Sequence, residues 1–279
     1  MIALVDVGGT KLAAAAAATG DTSIGAVMRV ATAAESPAEQ LLGLIDNVCG
    51  GASPHAVAMS VPGPFDRDGI ALENPPGLPK TWWGLPIGAL IEQRYACPVA
   101  IENDANCAAL AEARWGAGSG DRTVVYFTVS TGIGTGVVRD GAILAGRKDT
   151  EGGHQVLWPE WTGGIPCHCG GFGCLEALAS GRAIERRFGR PAHELDEQAA
   201  WDDVGRWLGL GVVNATALID PDCVLFGGGV TGSWDRFAPC LMATVEAHVR
   251  LQRLPRVERG SLGEARTLLG ALALLAAAR

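Results

Sequence analysis

Apolar runs that end in glycine set the rhythm of this chain. Residues 2–7 (IALVDV) form a short apolar run closed by Gly8-Gly9, and residues 11–18 and 23–31 carry two more strand-length segments. The opening therefore reads as a three-stranded meander. A helix is expected over 36–48, starting near Ser36-Pro37. Residues 56–61 (AVAMSV) form a buried strand, stopped by Pro62-Gly63-Pro64. A loop rich in Pro and Gly over 74–86 leads to a helix of about ten residues and a strand at 98–102. Asp104–Trp115 reads as a helix, with Asp104 at its N-cap or first turn.

The opening pattern returns at 123–130. TVVYFTVS breaks into Thr131-Gly132-Ile133-Gly134-Thr135-Gly136, and another apolar segment follows. Strand, glycine turn, strand thus occurs twice, on the scale of a lobe rather than of a short repeat. Residues 196–219 then read as a long helix, 222–226 as a strand, 232–251 as a helix and 264–278 as a terminal helix rich in Ala and Leu. An N-terminal lobe over 1–107, completed by the helix 264–279, and a second lobe over 108–263 are expected.

Composition narrows the function. The chain has 279 residues, 48% of them hydrophobic, which is enough for a large core. The net charge is −8 and Lys and Arg are dispersed, so there is no basic stripe to track a phosphate backbone, and nucleic acid is not an expected partner. The opening Met1-Ile2-Ala3-Leu4 lacks a basic leader and no long uncharged apolar run occurs, so a cytoplasmic protein without membrane association is expected.

Two glycine turns after strands can aim backbone N–H groups at an anion, or they can be plain hairpin turns. As a pair they can hold a polyphosphate between two lobes. Gly227-Gly228-Gly229, after a strand and before a helix, suits a nucleotide contact. None of the three fits the G-x-x-x-x-G-K-[ST] loop. Asp6, ending the first strand, reads either as a turn-starting Asp or as an outer-sphere Mg²⁺ carboxylate.

Residues 101–106 (IENDAN) follow a strand and begin a helix. They read as capping residues, or as a polar set in which a carboxylate takes a proton from a substrate hydroxyl. Cys167, Cys169 and Cys174 lie within eight residues of a glycine-rich loop. In a reducing compartment this spacing points to structural zinc, against buried free thiols or a redox pair. His154 is preferred as fourth ligand, because His168 lies between two ligand cysteines and its side chain is expected to point away. A metal-anchored loop would hold His154, Glu151 and Glu176 against a polyol.

Asp6-Val-Gly-Gly-Thr-Lys11, Glu102-Asn-Asp-Ala-Asn106, Ser130-Thr-Gly-Ile-Gly-Thr-Gly136, Glu151-Gly-Gly-His154 and Cys167-His-Cys-Gly-Gly-Phe-Gly-Cys-Leu-Glu176, in this order, resemble the ROK family of sugar kinases and sugar-responsive repressors. The resemblance implies an α/β, actin-like (ribonuclease H-like) ATPase fold of two lobes with a cleft between them. It implies that Asp104 deprotonates a sugar 6-hydroxyl and that Asn103, Glu151, His154 and Glu176 bind the sugar, with Gly63 and Asn74 closing the pocket. Gly8, Gly9, Thr10, Lys11, Thr131 and Gly132 match phosphate-loop positions, Gly228 and Gly229 nucleotide contacts. ATP, Mg²⁺ and a structural Zn²⁺ on His154, Cys167, Cys169 and Cys174 follow by the same resemblance, as does a homodimer.

The chain departs from the common pattern at Thr150 and in NPPGLPKTWWG, and both changes bear on the sugar. The length and CLEALASGRAI are nearest to N-acetylmannosamine kinases, with glucokinase and N-acetylglucosamine kinase as alternatives. A sugar-sensing regulator would need a DNA-binding module ahead of the first glycine turn, and the first strand begins at residue 2, so a kinase is expected.

Overall fold

The computed structural model describes residues 1–18, 23–66, 71–73, 75, 77–144, 146 and 148–277. Strands β1 (Ile2–Val7), β2 (Lys11–Ala17) and β3 (Met28–Ala31) precede helix α1 (Pro37–Val48) and strand β4 (Ala56–Val61). The short pair β5 (Phe65–Asp66) and β6 (Ala71–Leu72) follows, then α2 (Ile87–Tyr95), β7 (Val99–Asn103) and α3 (Asp104–Trp115). The second half opens with β8 (Thr123–Val129), β9 (Ile133–Arg139) and β10 (Ala142–Ile143). It continues with α4 (Leu175–Ala179), α5 (Gly181–Phe188), α6 (Gln198–Ile219) and β11 (Cys223–Gly227). Helix α7 (Trp234–His248), strand β12 (Arg256–Arg259) and helix α8 (Arg266–Ala277) complete it.

Two compact units result. One holds Met1–Ala111, Lys148, Asp149 and the chain from Glu264 onward; the other holds Glu112–Gly146 and Thr150–Gly263. The first sheet runs β3-β2-β1-β4-β7 and the second β10-β9-β8-β11-β12. In both, the first two strands form an antiparallel hairpin and the next two join in parallel. The repeat seen in the sequence is thus a repeat of sheet topology.

Strand β1 is buried along almost its whole length, as an apolar run in a parallel-paired position must be. Its hairpin partner β2 is Lys-Leu followed by five alanines, a composition that favours helix in isolation. It is extended because β1 pairs with it residue for residue, from Ile2–Ala17 to Val7–Leu12. The small side chains let α1 and α8 pack against the sheet. Val5, Leu12, Leu41, Ile45, Met59 and Trp82 centre this core.

In the second unit Phe127 stacks on Phe226 with ring centroids 5.3 Å apart, and Trp201, Val204, Phe237 and Leu241 surround them. Helices α6 and α7 approach closely because Gly205 and Gly209 face α7. A Cβ on Gly205 would lie 2.4 Å from the Phe237 carbonyl oxygen, and one on Gly209 2.9 Å from that of Leu241. Among the described residues no helix is long and apolar enough to cross a membrane.

Candidate active site

In each unit the candidate residues gather at the carboxyl ends of parallel strands, where open α/β sheets place ligands. In the first unit β1 delivers Asp6 and Gly8, β4 runs out toward Gly63, and β7 ends at Asn103 with Asp104 opening α3.

Asn103 is the cap of α3. Its Oδ1 accepts the backbone N–H of Ala105 at 2.8 Å and of Asn106 at 3.3 Å, and Asp104 Oδ1 also accepts from Ala105 at 2.8 Å. Beneath them Glu102 is buried. Its Oε1 accepts the Asn103 N–H at 2.7 Å and Asn106 Nδ2 at 3.2 Å. Asn106 Nδ2 also donates to Asp149 Oδ1 at 3.1 Å. A Cβ on Gly63 would meet Asn103 Nδ2 at 3.1 Å and Asp149 Oδ2 at 3.7 Å, so Gly63, Asn103 and Asp149 share one small region. Asp149 was not among the residues read from the sequence, since a lone Asp in a polar loop carries no signal. Asp104 itself is half-buried at the rim of this network.

Asp6 lies deep in the unit, and burial pushes its carboxyl above the usual range. The hydroxyls of Ser60 and Thr267 and the charges of Arg266 and Lys11 oppose that rise. The Gly8-Gly9-Thr10 turn is tight. Gly8 N–H donates to the Lys11 carbonyl at 3.1 Å, Thr32 Oγ1 donates to the Gly8 carbonyl at 2.6 Å, and a Cβ on Gly9 would lie 2.6 Å from Gly77 O. Thr10 and Lys11 are exposed beside it. Asn74 lies outside the described residues. Of the two tryptophans in the unusual loop, Trp82 is fully buried and donates to Ala33 O at 2.9 Å, so it belongs to the core; Trp83 is exposed.

In the second unit the turn Ser130-Thr131-Gly132 follows β8. Ser130 N–H donates to Gly132 O at 2.8 Å, and the start of α5 donates back to the turn from Gly181 to Ser130 O at 2.7 Å. Gly228, at the end of β11, has φ +92°, and a Cβ there would sit 2.3 Å from Val129 O. The turn and Gly228 therefore lie side by side. Gly229 is exposed and begins a 3₁₀ turn.

The Glu151–His154 segment is a 3₁₀ turn docked on β9. Thr135 Oγ1 accepts the Gly152 N–H at 2.8 Å, and Thr150 Oγ1 donates to Thr135 O at 3.0 Å. Thr150 thus anchors the turn. Glu151 is exposed and His154 half-buried. Glu176, in α4, is nearly buried: one oxygen accepts the Ile133 N–H at 2.8 Å and the other meets His168 Nδ1 at 2.7 Å.

His154, Cys167, Cys169 and Cys174 converge, with their donor atoms all within 4.8 Å of one another. Four donors placed tetrahedrally about 2.3 Å from one zinc ion lie about 3.8 Å apart. The Cys169–Cys174 sulfur separation is 3.7 Å, and Cys167 Sγ lies 3.7 Å from His154 Nδ1. Burial pushes the Cys174 thiol up to about 12, and the neighbouring thiols add to this. Burial also raises Cys167. A cation among the sulfurs would reverse that balance by favouring thiolates. The donor set therefore fits zinc, and Nδ1 is the His154 nitrogen that lies beside Cys167 Sγ.

The ROK family model matches residues 2–278. The chain is similar to a ROK hexokinase from Thermus thermophilus, at 34% identity and TM-score 0.85 over 99% of this chain and 98% of that one. It is similar to a ROK family glucokinase from Streptomyces griseus in complex with glucose and AMPPNP, at 28% identity and TM-score 0.80 over 97% of each chain. An N-acetylmannosamine kinase of Escherichia coli is 35% identical over 81% of this chain and 82% of its own length. A glucokinase of Halalkalibacterium halodurans is 31% identical, but the match spans only 62% of that relative's length.

Proposed function

The chain belongs to the ROK family, and from that membership we infer that it transfers a phosphoryl group from ATP to the 6-hydroxyl of a hexose or N-acylhexosamine. N-Acetylmannosamine is the first candidate acceptor, and glucose and N-acetylglucosamine are the next. The observation that carries the reading is the placement of Asp104. It stands at the carboxyl end of β7, half-buried, and shares the capping of α3 with its neighbour Asn103.

Phosphoryl transfer needs positioning and charge stabilisation more than covalent chemistry from the protein. Asp104 is the acceptor for the hydroxyl proton. By the family resemblance, Gly63, Asn103, Glu151, His154 and Glu176 are the candidates to supply acceptors and donors for the remaining hydroxyls. Backbone N–H groups within the Gly9–Thr10 and Thr131–Gly132 turns receive phosphate oxygens, and Gly228 and Gly229 leave space for the nucleotide. Mg²⁺, when bound, neutralises phosphate charge, and Asp6 is the carboxylate suited to hold its water shell. His154, Cys167, Cys169 and Cys174 would hold a structural zinc, which would fix the loop and leave the free ring nitrogen of His154 as an N–H donor for the sugar. A homodimer is part of the same reading.

A coupled ADP-release assay with Mg-ATP against N-acetylmannosamine, glucose, N-acetylglucosamine, mannose and fructose tests this, with Asp104→Ala as the blank. Turnover on one sugar, lost in the blank, is expected. A zinc-loaded, folded preparation inactive on all five would overturn the reading.

A further inference from the structure

His168 sits in the middle of the cysteine knuckle and has no place in the tetrahedral donor set. The chain reverses there: the Gly170 N–H donates to Cys167 O at 3.1 Å and the Cys167 N–H to Gly171 O at 2.8 Å. Gly170 takes φ +90° to complete the reversal. The turn sends the His168 ring back toward α4, where Nδ1 meets Glu176 Oε1 at 2.7 Å. The ring also stands edge-on to His154, with centroids 5.6 Å apart.

Glu176 is thereby held at both oxygens. Oε2 accepts the Ile133 N–H at 2.8 Å, and a Cβ on Gly132 would come within 2.4 Å of it, so on that side the carboxylate is locked against the backbone. On the other side Oε1 is paired with His168 Nδ1. Each oxygen keeps a lone pair after one hydrogen bond. A carboxylate so fixed presents two acceptors at set positions to a polyol, and ordering it beforehand removes that cost from binding.

We propose that His168 is a positioning residue: by donating from Nδ1 it fixes the rotamer of Glu176 and so sets the affinity and selectivity of the sugar site. The proposal rests on the sugar-kinase reading above. It assigns His168 no contact with the transferring phosphoryl group and no role in holding metal.

The first test is independent of turnover. In zinc-loaded protein, long-range ¹H–¹⁵N correlations of the His168 ring should report the proton on Nδ1, and Glu176→Gln should shift that nitrogen. A proton on Nε2 with a bare Nδ1 would overturn the proposal whatever the enzyme does. The second test is kinetic. His168→Ala should keep its zinc and its KM for ATP while KM for the preferred sugar rises about tenfold, as expected for loss of one charge-assisted hydrogen bond. His168→Asn, whose Nδ2 can occupy the place of Nδ1, should recover most of the affinity, and His168→Gln should not. An unchanged sugar KM in His168→Ala, or equal behaviour of the Asn and Gln variants, would sink the idea. Failure of the wild type on every sugar would count instead against the kinase reading.

Discussion

Gly153 packs so tightly on Ile133 that a Cβ would lie 1.9 Å from the Ile133 carbonyl oxygen. No rotamer relieves this, because the obstacle is backbone. The 3₁₀ turn of Glu151–His154 can therefore lie on β9 only if residue 153 lacks a side chain.

Gly153→Ala should push that turn off the strand. Overpacking of this kind costs about 1–3 kcal/mol. The fall should appear as a lower midpoint in urea unfolding, with a raised KM for sugar and an unchanged KM for ATP. A variant of wild-type stability and sugar affinity would mean the turn docks more loosely than the geometry states.

Asp104→Asn should lower kcat by about 10²–10⁴-fold, the range of a lost general base, with sugar binding retained. Asn103→Ala should behave differently. It removes the side chain that caps α3, so it should lose about 1 kcal/mol of stability as well as sugar affinity. Turnover of Asp104→Asn within tenfold of wild type would remove Asp104 from the role of base.

The sequence reading located most elements because their burial and their local chemistry agree. The runs at 2–7, 56–61 and 123–129 are buried strands, and the long helix expected over 196–219 is α6, Gln198–Ile219. Elements whose burial is one-sided were not legible. Strand β12 reads Arg-Val-Glu-Arg, buries only Val257 and is a strand because β11 pairs with it. Helices α4 and α5 follow the cysteine loop so closely that its chemistry masks their periodicity. Strand β3 covers only Met28–Ala31 of the expected 23–31, where Ile24 keeps just an isolated bridge to Ala17. At the site, motif spacing singled out the thiols and His154. The pairing of Glu176 with His168, and of Asn106 with Asp149, joins residues through the tertiary fold, which no spacing rule sees.

Cys169→Ser should abolish stoichiometric zinc, as measured by elemental analysis, and loosen the loop to proteolysis. The wild type should also lose zinc as pH falls, because protons compete for the sulfurs and Cys174 holds its proton up to about 12 when no metal is present. Calorimetry in buffers of different ionisation enthalpy should detect proton release on zinc uptake. Retention of zinc by Cys169→Ser would exclude the Cys₃His set.

Alkaline stability gives a separate prediction. Burial in β11 pushes the Cys223 thiol up to about 12 from an ordinary 9.0. The folded state therefore holds this proton more tightly than the unfolded chain does. Its contribution is complete below about pH 9 and declines as pH rises toward about 12, by up to about 1.4 kcal/mol per pH unit. Urea unfolding between pH 8 and 10.5 should show a shallower decline in Cys223→Ala than in the wild type, although the variant starts lower because of its cavity. Parallel slopes would mean that the thiol ionises as freely in the fold as outside it.

Gly228 offers the sharpest separation of nucleotide from sugar. Its φ of +92° is costly for any residue with a side chain, and a Cβ would press 2.3 Å from Val129 O at the end of β8. The strain would fall on the end of β11 beside the Ser130–Gly132 turn. Gly228→Ala should therefore raise KM for ATP about tenfold or more, with zinc content and sugar affinity near wild type. Sugar affinity would be read by tryptophan fluorescence without nucleotide, and ATP dependence by ADP release at saturating sugar. If sugar affinity fell while KM for ATP held, Gly228 would belong to the sugar's surroundings, and the phosphate-facing role of the neighbouring Thr131–Gly132 turn would fail with it.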